Sequence, residues 1–545
     1  MPVLVKNRSQ GGRTGTKKPM ADQKSFYITT PIYYVNDKPH VGHAYTTIAC
    51  DTLARFKRLD GFQVKFLTGT DEHGQKVEKA AAESGVKPQD YVDQVSQTFR
   101  DLTSTLQITN DDFIRTTEER HSKACQTFWT RISENRAPNG ENNIYLGKYS
   151  GWYAVRDEAY YSENELTEGP TGQKLAPTGA PVEWVEEPSY FFRLSAWQEK
   201  LIEFYEDNPN FVKPNTRFNE VRRFVEGGLQ DLSLSRTTFA WGVEIPGNAD
   251  HVMYVWIDAL TNYITALDYP DTKSASYKTF WPADLHLVGK DIIRFHCVYW
   301  PAFLMAAGLK TPKEVFAHGW WTVEGQKMSK SLGNVIDPEE LVQTYGLDQV
   351  RYFLLREVKF GADGDFSSSA LVQRANGELA NELGNLAQRV LAMIGNNCDG
   401  RVPEPGEFTE DDSKLLIAAE AALDSCRQAI DKKAFHEVLE IIWKVVRAAN
   451  GYVDKQAPWV LRKTNLIRMN TVLFILSESL RKIAILMLPF VPTGAEKILD
   501  QLAISDADRH FAKISLAAGG LKSGTALPKP EPVFNKLKLV GEGKG

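Results

Sequence analysis

Phe26-Tyr27-Ile28-Thr29-Thr30-Pro31 runs on through Ile32-Tyr33-Tyr34-Val35-Asn36 to His40-Val41-Gly42-His43, and this stretch decides how the chain is read. Phe26 to Ile28 has the aromatic and β-branched composition of a strand. Pro31 to Pro39 is proline- and asparagine-bearing, as turns are. From His43 to Leu59 the apolar residues Tyr45, Ile48, Ala49, Leu53 and Phe56 recur at helical spacing, and Gly61 stands where such a helix would stop. Val64-Lys65-Phe66-Leu67 alternates at its start, as a strand does, and runs out into Thr70-Asp71-Glu72-His73-Gly74. Residues 25–70 therefore read as a βαβ unit, which joins parallel strands. Ligands of open parallel sheets bind outside the carboxyl ends of the strands. Both His40–His43 and Asp71–Gly74 fall at such ends.

A second α/β block is expected from about 250 to 335. His286-Leu287-Val288 is its first strand, followed by Gly289-Lys290-Asp291 and a helix through Ala306. Glu314–His318 reads as the next strand and Gly325–Ser331 as a polar loop. The mixed stretch between the blocks reads as an insertion. Beyond about 370 the pattern turns helical: Leu379, Leu383, Leu386 and Val390 keep helical spacing, as do Leu439, Ile442, Val446 and Ala449. Leu527-Pro528-Lys529-Pro530-Glu531-Pro532 reads as an extended tail.

A chain of 545 residues is long enough for several domains. It has no apolar run of the length a membrane span needs. Its net charge of −5 excludes blanket binding of nucleic acid but leaves room for a local basic surface. The cysteines (Cys50, Cys125, Cys297, Cys398, Cys426) are scattered with no Cys-x-x-Cys pair, so neither a disulfide framework nor a cysteine zinc knuckle is implied. A reducing compartment fits best. The first 19 residues carry Lys6, Arg8, Arg13, Lys17 and Lys18 and no acid or apolar core. They are not a secretory signal. A disordered basic extension, an organelle transit peptide and an over-extended start before Met20 all remain open.

Two short patterns carry chemistry. In His40-Val41-Gly42-His43, at a strand-to-helix junction, glycine would let a ligand approach the backbone. The helix start offers free N–H groups that suit phosphate, and two histidines can donate to phosphate oxygens as charge grows on them. Alone, this pattern fits a turn with two surface histidines equally well. Lys327-Met328-Ser329-Lys330-Ser331 places two lysines and two serines in a polar loop. Lysine is a point charge on a flexible stem, able to follow a leaving pyrophosphate. Alone, this loop fits a solvated basic segment.

Their order is more specific than either. The first opens one α/β half and the second closes the other, with Lys327 lying 284 residues after His43. In this the chain resembles the class I aminoacyl-tRNA synthetases, from about residue 25 to 535. The resemblance implies a Rossmann-like parallel-sheet α/β catalytic domain split by a connective insertion and followed by an α-helical anticodon-binding bundle. The implied divisions are 1–24 as the basic extension, 25–125 as the first catalytic half, 126–215 as the insertion and 216–335 as the second half. A stem at 336–375, a helical domain at 376–520 and a tail at 521–545 follow. The implied chemistry is amino acid plus ATP, with magnesium, giving aminoacyl-adenylate and pyrophosphate, then transfer to the terminal adenosine of tRNA. It depends on positioning and charge stabilisation and needs no protein nucleophile. His40, His43, Lys327 and Lys330 are then the catalytic candidates. Gly42, His43, Gly289, Asp291, His318 and Lys330 would meet ATP.

The detailed strings are similar to the methionyl branch. They are Thr29–Asn36, Thr68-Gly69-Thr70-Asp71-Glu72-His73-Gly74, Tyr254-Val255-Trp256-Ile257-Asp258-Ala259, Gly289-Lys290-Asp291-Ile292-Ile293-Arg294-Phe295-His296 and Ala317-His318-Gly319-Trp320. The span between the halves is too short for the editing insertion of the leucine, isoleucine and valine enzymes. The cysteine enzymes' zinc thiolate site has no cysteines here. By resemblance Asp71 would hold the substrate ammonium, as a carboxylate at a strand end can; a helix N-cap for the segment after Gly74 is the alternative. Ile32, Tyr34, Trp256, Ala259, Leu260, Tyr263, Ile292 and His296 would line the side-chain pocket; ordinary core packing is the alternative for each aromatic. Thioethers suit aromatic walls, at about 0.3–1.5 kcal/mol per contact. Phe295 and Trp300 are further wall candidates; Arg236, Glu244 and His318 are weaker candidates near ATP or the amino acid. Where many relatives carry a zinc knuckle, Tyr149–Glu158 has no cysteine, so no structural zinc is expected and packing or an ion pair must replace it.

The helical part resembles the family's anticodon-binding bundle through Asn385-Leu386-Ala387-Gln388-Arg389 and Ala457-Pro458-Trp459. Asn385 and Arg389 lie one turn apart and can bond exposed base edges, and Trp459 can stack on an unpaired base. An inter-helix core position is the alternative for Trp459. Expected partners are methionine, ATP and methionine-accepting tRNA, for both initiation and elongation, with no DNA and no membrane. A cytoplasmic monomer is expected, or an organellar one if the basic extension is a transit peptide. Another class I synthetase, a nucleotidyltransferase and an inactive RNA-binding relative are the alternatives.

Overall fold

The computed structural model describes residues 24–35, 38–157, 159–170, 172–328 and 334–539. Its centre is a seven-stranded sheet. The strands are β1 (Ser25–Thr29), β2 (Tyr33–Tyr34), β3 (Gln63–Asp71), β4 (Asp112–Arg115), β5 (Val212–Lys213), β6 (Leu285–Gly289) and β7 (Val315–His318). Every pairing among them is parallel, in the order β5-β7-β6-β1-β3. β2 prolongs β1 along β3, pairing Tyr33 with Thr70 and Tyr34 with Asp71. β4 takes the other side of β3. The carboxyl half of β3 is buried throughout, as a central parallel strand must be. From β1 the chain builds outward to β3 on one side and to β6 on the other. That reversal opens a crevice at the ends of β1 and β6, where open α/β sheets bind ligands.

Helix α1 (Val41–Leu59) follows β2 and starts two residues earlier than its apolar spacing predicts, because His40 caps it. α2 (Glu119–Glu134) follows β4. The chain then enters an antiparallel sheet in which Ile144–Ala154 pairs with Glu183–Phe192 along its length. Two turns face each other near its end, closed by Asp157 N–H to the Ala154 carbonyl and Gly179 N–H to the Ala176 carbonyl. Ala154, Ala176 and Ala180 pack together there with Tyr161 and Val182. The Asp157 carboxylate accepts from Tyr161 Oη at 3.1 Å and from Thr178 Oγ1. Packing and hydrogen bonds to one carboxylate thus hold the two turns. β5 lies inside the stretch expected to be insertion, 126–215, yet it pairs with β7 at the edge of the main sheet.

α3 (Val255–Thr265) precedes β6, and α4 (Trp300–Ala306) completes the β6–β7 crossover after one turn of 3-10 and one of π-helix. α5 (Leu347–Arg356) lies within the stretch 336–375. The bundle comprises α6 (Asn385–Asn397), α7 (Glu410–Asp431), α8 (Phe435–Gln456), α9 (Pro458–Thr464), α10 (Leu466–Met487) and α11 (Pro492–Gln501). Leu379, Leu383, Leu386, Val390, Leu439, Ile442, Val446 and Ala449 are all buried, as their spacing predicts. The tail is extended but packed: Phe534 is buried, and Leu537 exchanges backbone bonds of 2.7 and 2.9 Å with the Asn376 amide. No helix among the described residues is long and apolar enough to cross a membrane.

Candidate active site

His40 ends an extended segment and turns its ring back over the first turn of α1. Its Nδ1 accepts from Gly42 N–H at 3.0 Å, and its own N–H donates to His43 Nδ1 at 3.0 Å. The two imidazoles stack with centroids 3.9 Å apart. A Cβ on Gly42 would come within 2.8 Å of His40 Cε1, so glycine is required for the capping ring to lie there. Because each Nδ1 accepts from a backbone N–H, each neutral ring carries its proton on Nε2. Burial, and the repulsion that protonating both stacked rings would bring, hold His43 well below the ordinary histidine range. Tyr33 and Phe99 enclose it edge-on.

The free helix N–H groups expected for phosphate are not there. Val41 N–H donates to the Ile336 carbonyl at 3.0 Å, Gly42 N–H to His40 Nδ1, and His43 N–H to the His40 carbonyl at 2.9 Å. The macrodipole remains positive at this end, and the two imidazoles carry their Nε2–H groups there. Gly42 likewise serves the fit of His40 rather than an approach of ligand to backbone.

On the other side of the crevice, β6 ends at Gly289 and Asp291 follows in one 3-10 turn. Asp291 is exposed and accepts from Trp320 Nε1 at 3.1 Å. A Cβ on Gly289 would come within 2.5 Å of Asp291 Oδ1. Lys290 pairs with Asp363 at 2.7 Å and lies over the Trp320 ring. His318 ends β7 with both nitrogens taken: Nδ1 donates to the Gly319 carbonyl at 2.8 Å and Nε2 accepts from Thr46 Oγ1 at 2.8 Å. His318 thereby ties β7 to the second turn of α1. Asp363 and Thr46 escaped notice in the sequence; Thr46 lies four residues after Gly42 on one helix face, which is the signal that could have found it.

The pocket candidates converge. Ile32, Tyr34, Trp256, Leu260, Tyr263 and Ile292 belong to one apolar cluster behind the ends of β1 and β6, with Ala259 buried on the same helix. Tyr34 is paired in register with Asp71, which is buried at the end of β3. His296 Nδ1 donates to the Ile292 carbonyl at 3.0 Å, so Nε2 accepts from Tyr263 Oη at 2.7 Å. Burial lowers His296 to about 4, leaving a neutral wall. Trp256 stacks flat on Phe295 with centroids 3.5 Å apart. Trp300 is fully buried among Phe128, Trp281 and Tyr263 and belongs to the core. Arg236 is buried on a short strand that pairs with Asn248–Met253, bonded to Ser233 Oγ and the Ser235 carbonyl, with its guanidinium over Tyr254. Glu244 is exposed on a neighbouring strand.

Lys327 ends a short strand that pairs it with Thr322. Lys330 lies outside the described residues, as do Ser329 and Ser331. On the bundle, Asn385 is exposed, Arg389 pairs with Asp454 at 2.8 Å, and the Arg389 guanidinium lies 5.7 Å from the centre of the Trp459 ring. Trp459 is 42% exposed, so it is not a core residue.

Residues 26–391 match the family model described as tRNA synthetases class I (M), and residues 402–540 match the anticodon binding domain of methionyl tRNA ligase. The chain is 55% identical over 520 residues to the methionine–tRNA ligase of Brucella suis biovar 1 (strain 1330), covering 95% of this chain and 99% of that one. It is 54% identical over 519 residues to that of Rickettsia felis, with the same coverage of each. Among solved structures it is similar to the Mycobacterium tuberculosis methionyl-tRNA synthetase in complex with methionyl-adenylate. There the TM-score is 0.90 at 51% identity, over 94% of this chain and 100% of that one. With the apo form of the same enzyme the TM-score is 0.85 at 47% identity, over 96% and 100%.

Proposed function

Because the chain belongs to the methionyl members of the class I tRNA synthetases, we propose roles for its crevice residues in joining methionine to tRNA. It activates methionine with ATP and transfers it to tRNA, as a methionine–tRNA ligase. The carrying observation is one of place. Nε2–H donors at the start of α1 and the Asp71-to-His296 pocket open on the same reversal point of one parallel sheet.

ATP enters as its magnesium complex. Its phosphates lie against His40 and His43, whose Nε2–H groups donate to oxygens that gain charge as the methionine carboxylate attacks the α-phosphorus. Their fixed tautomer means no reorganisation is needed at that moment. Lys327 and Lys330 supply positive charge to the departing pyrophosphate. Gly289 and Asp291 take the ribose, with Asp291 held by Trp320. Asp71 receives the methionine ammonium. Trp256, Ala259, Leu260 and Tyr263 meet the thioether, with Ile32, Tyr34, Ile292 and His296 closing the pocket. Tyr263 and His296 saturate each other, so the wall offers a polarisable surface and no unmet charge. Asn385, Arg389 and Trp459 read the anticodon, and the product is methionine esterified to the terminal adenosine of its tRNA, for initiation and elongation alike.

All these groups come from one chain, so the reading needs no second copy. The five free thiols fit a reducing cytoplasm. Charging of bulk tRNA with labelled methionine, in competition with each other amino acid unlabelled, tests the proposal. Label incorporation should resist all nineteen. Competition by any one at equal concentration would refute the assignment.

A further inference from the structure

Asp258 is fully buried on the face of α3 opposite Trp256, Leu260 and Tyr263. Its two oxygens meet two histidines from other elements. Oδ2 lies 2.7 Å from Nδ1 of His73, which follows Asp71 by two residues, and Oδ1 lies 2.7 Å from Nε2 of His121 on α2. Cys125 Sγ stands 3.2 Å from the same His121 nitrogen. Among the described residues this is the one group of histidine, cysteine and carboxylate close enough to suggest a metal. Yet 2.7 Å between Nε2 and Oδ1 is a charge-assisted hydrogen bond with a proton between the atoms. Burial, with the Asp258 charge and further off that of Asp71, also keeps the Cys125 thiol protonated.

Burying a carboxylate is costly, and apolar side chains would hold α3 against α2 equally well. What Asp258 adds is direction: two short bonds that fix the register of α3 against the end of β3. We propose that Asp258, through His73 and His121, is a positioning residue that sets the distance between the ammonium-binding Asp71 and the thioether-binding face of α3. Asp258 touches no substrate. Methionine fits only when both subsites are held at the separation of its own ammonium and sulfur. The inference rests on the proposed roles of Asp71 and α3.

The test is pyrophosphate–ATP exchange by the full chain with Asp258→Asn, His73→Ala, His73→Asn and Asp71→Asn. Asparagine at 258 can accept only one of the two bonds. Misplacement of about 1 Å between the subsites should lower kcat/KM for methionine by about tenfold or more, leaving KM for ATP within about twofold. The advantage of methionine over ethionine should shrink in the same variant. His73→Asn, which keeps a donor near the Nδ1 position, should recover most of what His73→Ala loses. Equal losses toward methionine and ATP, an unchanged methionine-to-ethionine ratio, or no rescue by asparagine would overturn the proposal. If Asp258→Asn failed to fold, the two His73 variants would decide it by the same criteria. Asp71→Asn separates the premises: if it leaves KM for methionine unchanged, the role of Asp71 fails; if it alone raises that KM, only the positioning claim fails.

Discussion

Gly42 exists for its neighbour. A methyl group there would press on the His40 ring that caps α1, and through that ring on His43. Gly42→Ala should displace the cap, cost about 1 kcal/mol of stability as lost caps do, and slow pyrophosphate exchange more than it weakens methionine binding. Thermal unfolding beside exchange kinetics checks this. On the proposed role, His43→Ala removes a donor to developing charge and should lower kcat by about 10²–10³-fold, whereas His43→Gln, which keeps a terminal N–H, should lose less. Equal losses would deny the Nε2–H assignment. The identity of these residues was legible in the sequence because four letters bring two donors and a glycine to a strand end. Their bonding was not. The amide of Val41 is taken by Ile336, more than half the chain length away, and no local pattern announces that partner.

Elements with strong periodicity were legible for the reason that they are stable: their apolar faces are the ones buried. α6 and α8 follow directly from leucines and valines at helical spacing. β2, read as part of a turn, has two residues, too few for alternation to register, and exists only because β3 offers it an edge. β5 was hidden in the same way. At the bundle surface, Arg389 stacks over Trp459 from a neighbouring helix, a juxtaposition that sequence distance conceals. Trp459→Ala should remove about 1–3 kcal/mol of base stacking. Charging of methionine tRNA should therefore fall by about 5- to 150-fold in kcat/KM, at about 1.4 kcal/mol per factor of ten, while pyrophosphate exchange stays unchanged. Loss of both activities would mean that the tryptophan serves the fold.

At the scale of the molecule, one buried cation joins the catalytic domain to the bundle. Arg351 on α5 pairs with Asp51 of α1 at 2.7 Å and donates to the carbonyls of Leu106, Pro489 and Phe490. Burial alone would raise the Asp51 pKa, but Arg351 and Arg55 hold it below the ordinary carboxylate value. Arg351→Ala leaves that carboxylate buried with Arg55 as its one remaining cationic partner and should cost about 3–5 kcal/mol, read as a lower denaturant midpoint. Buried neutral histidines set the acid limit. His43 and His286 are held well below the ordinary value of 6.5, His318 is lowered too, and His296 falls to about 4, all chiefly by burial. Between about 6.5 and 4 the unfolded chain binds more protons at these sites than the folded one, so stability must fall as pH falls through that window. Asp348, pushed up to about 6 by burial, acts oppositely, gaining stability as pH falls over part of the same range, but it is one group against four. The Tm should therefore be lower at pH 5 than at pH 7.5; a flat or rising Tm would contradict the neutral-histidine picture.

The proposed function requires that two halves of one parallel sheet bring phosphate donors and a methionine pocket to a single crevice. Pyrophosphate–ATP exchange with each amino acid supplied alone, without tRNA, tests it most directly. Exchange should occur with methionine and be abolished or greatly weakened by Asp71→Asn at unchanged KM for ATP. Exchange with a different amino acid, or with methionine at full efficiency in the Asp71 variant, would contradict it.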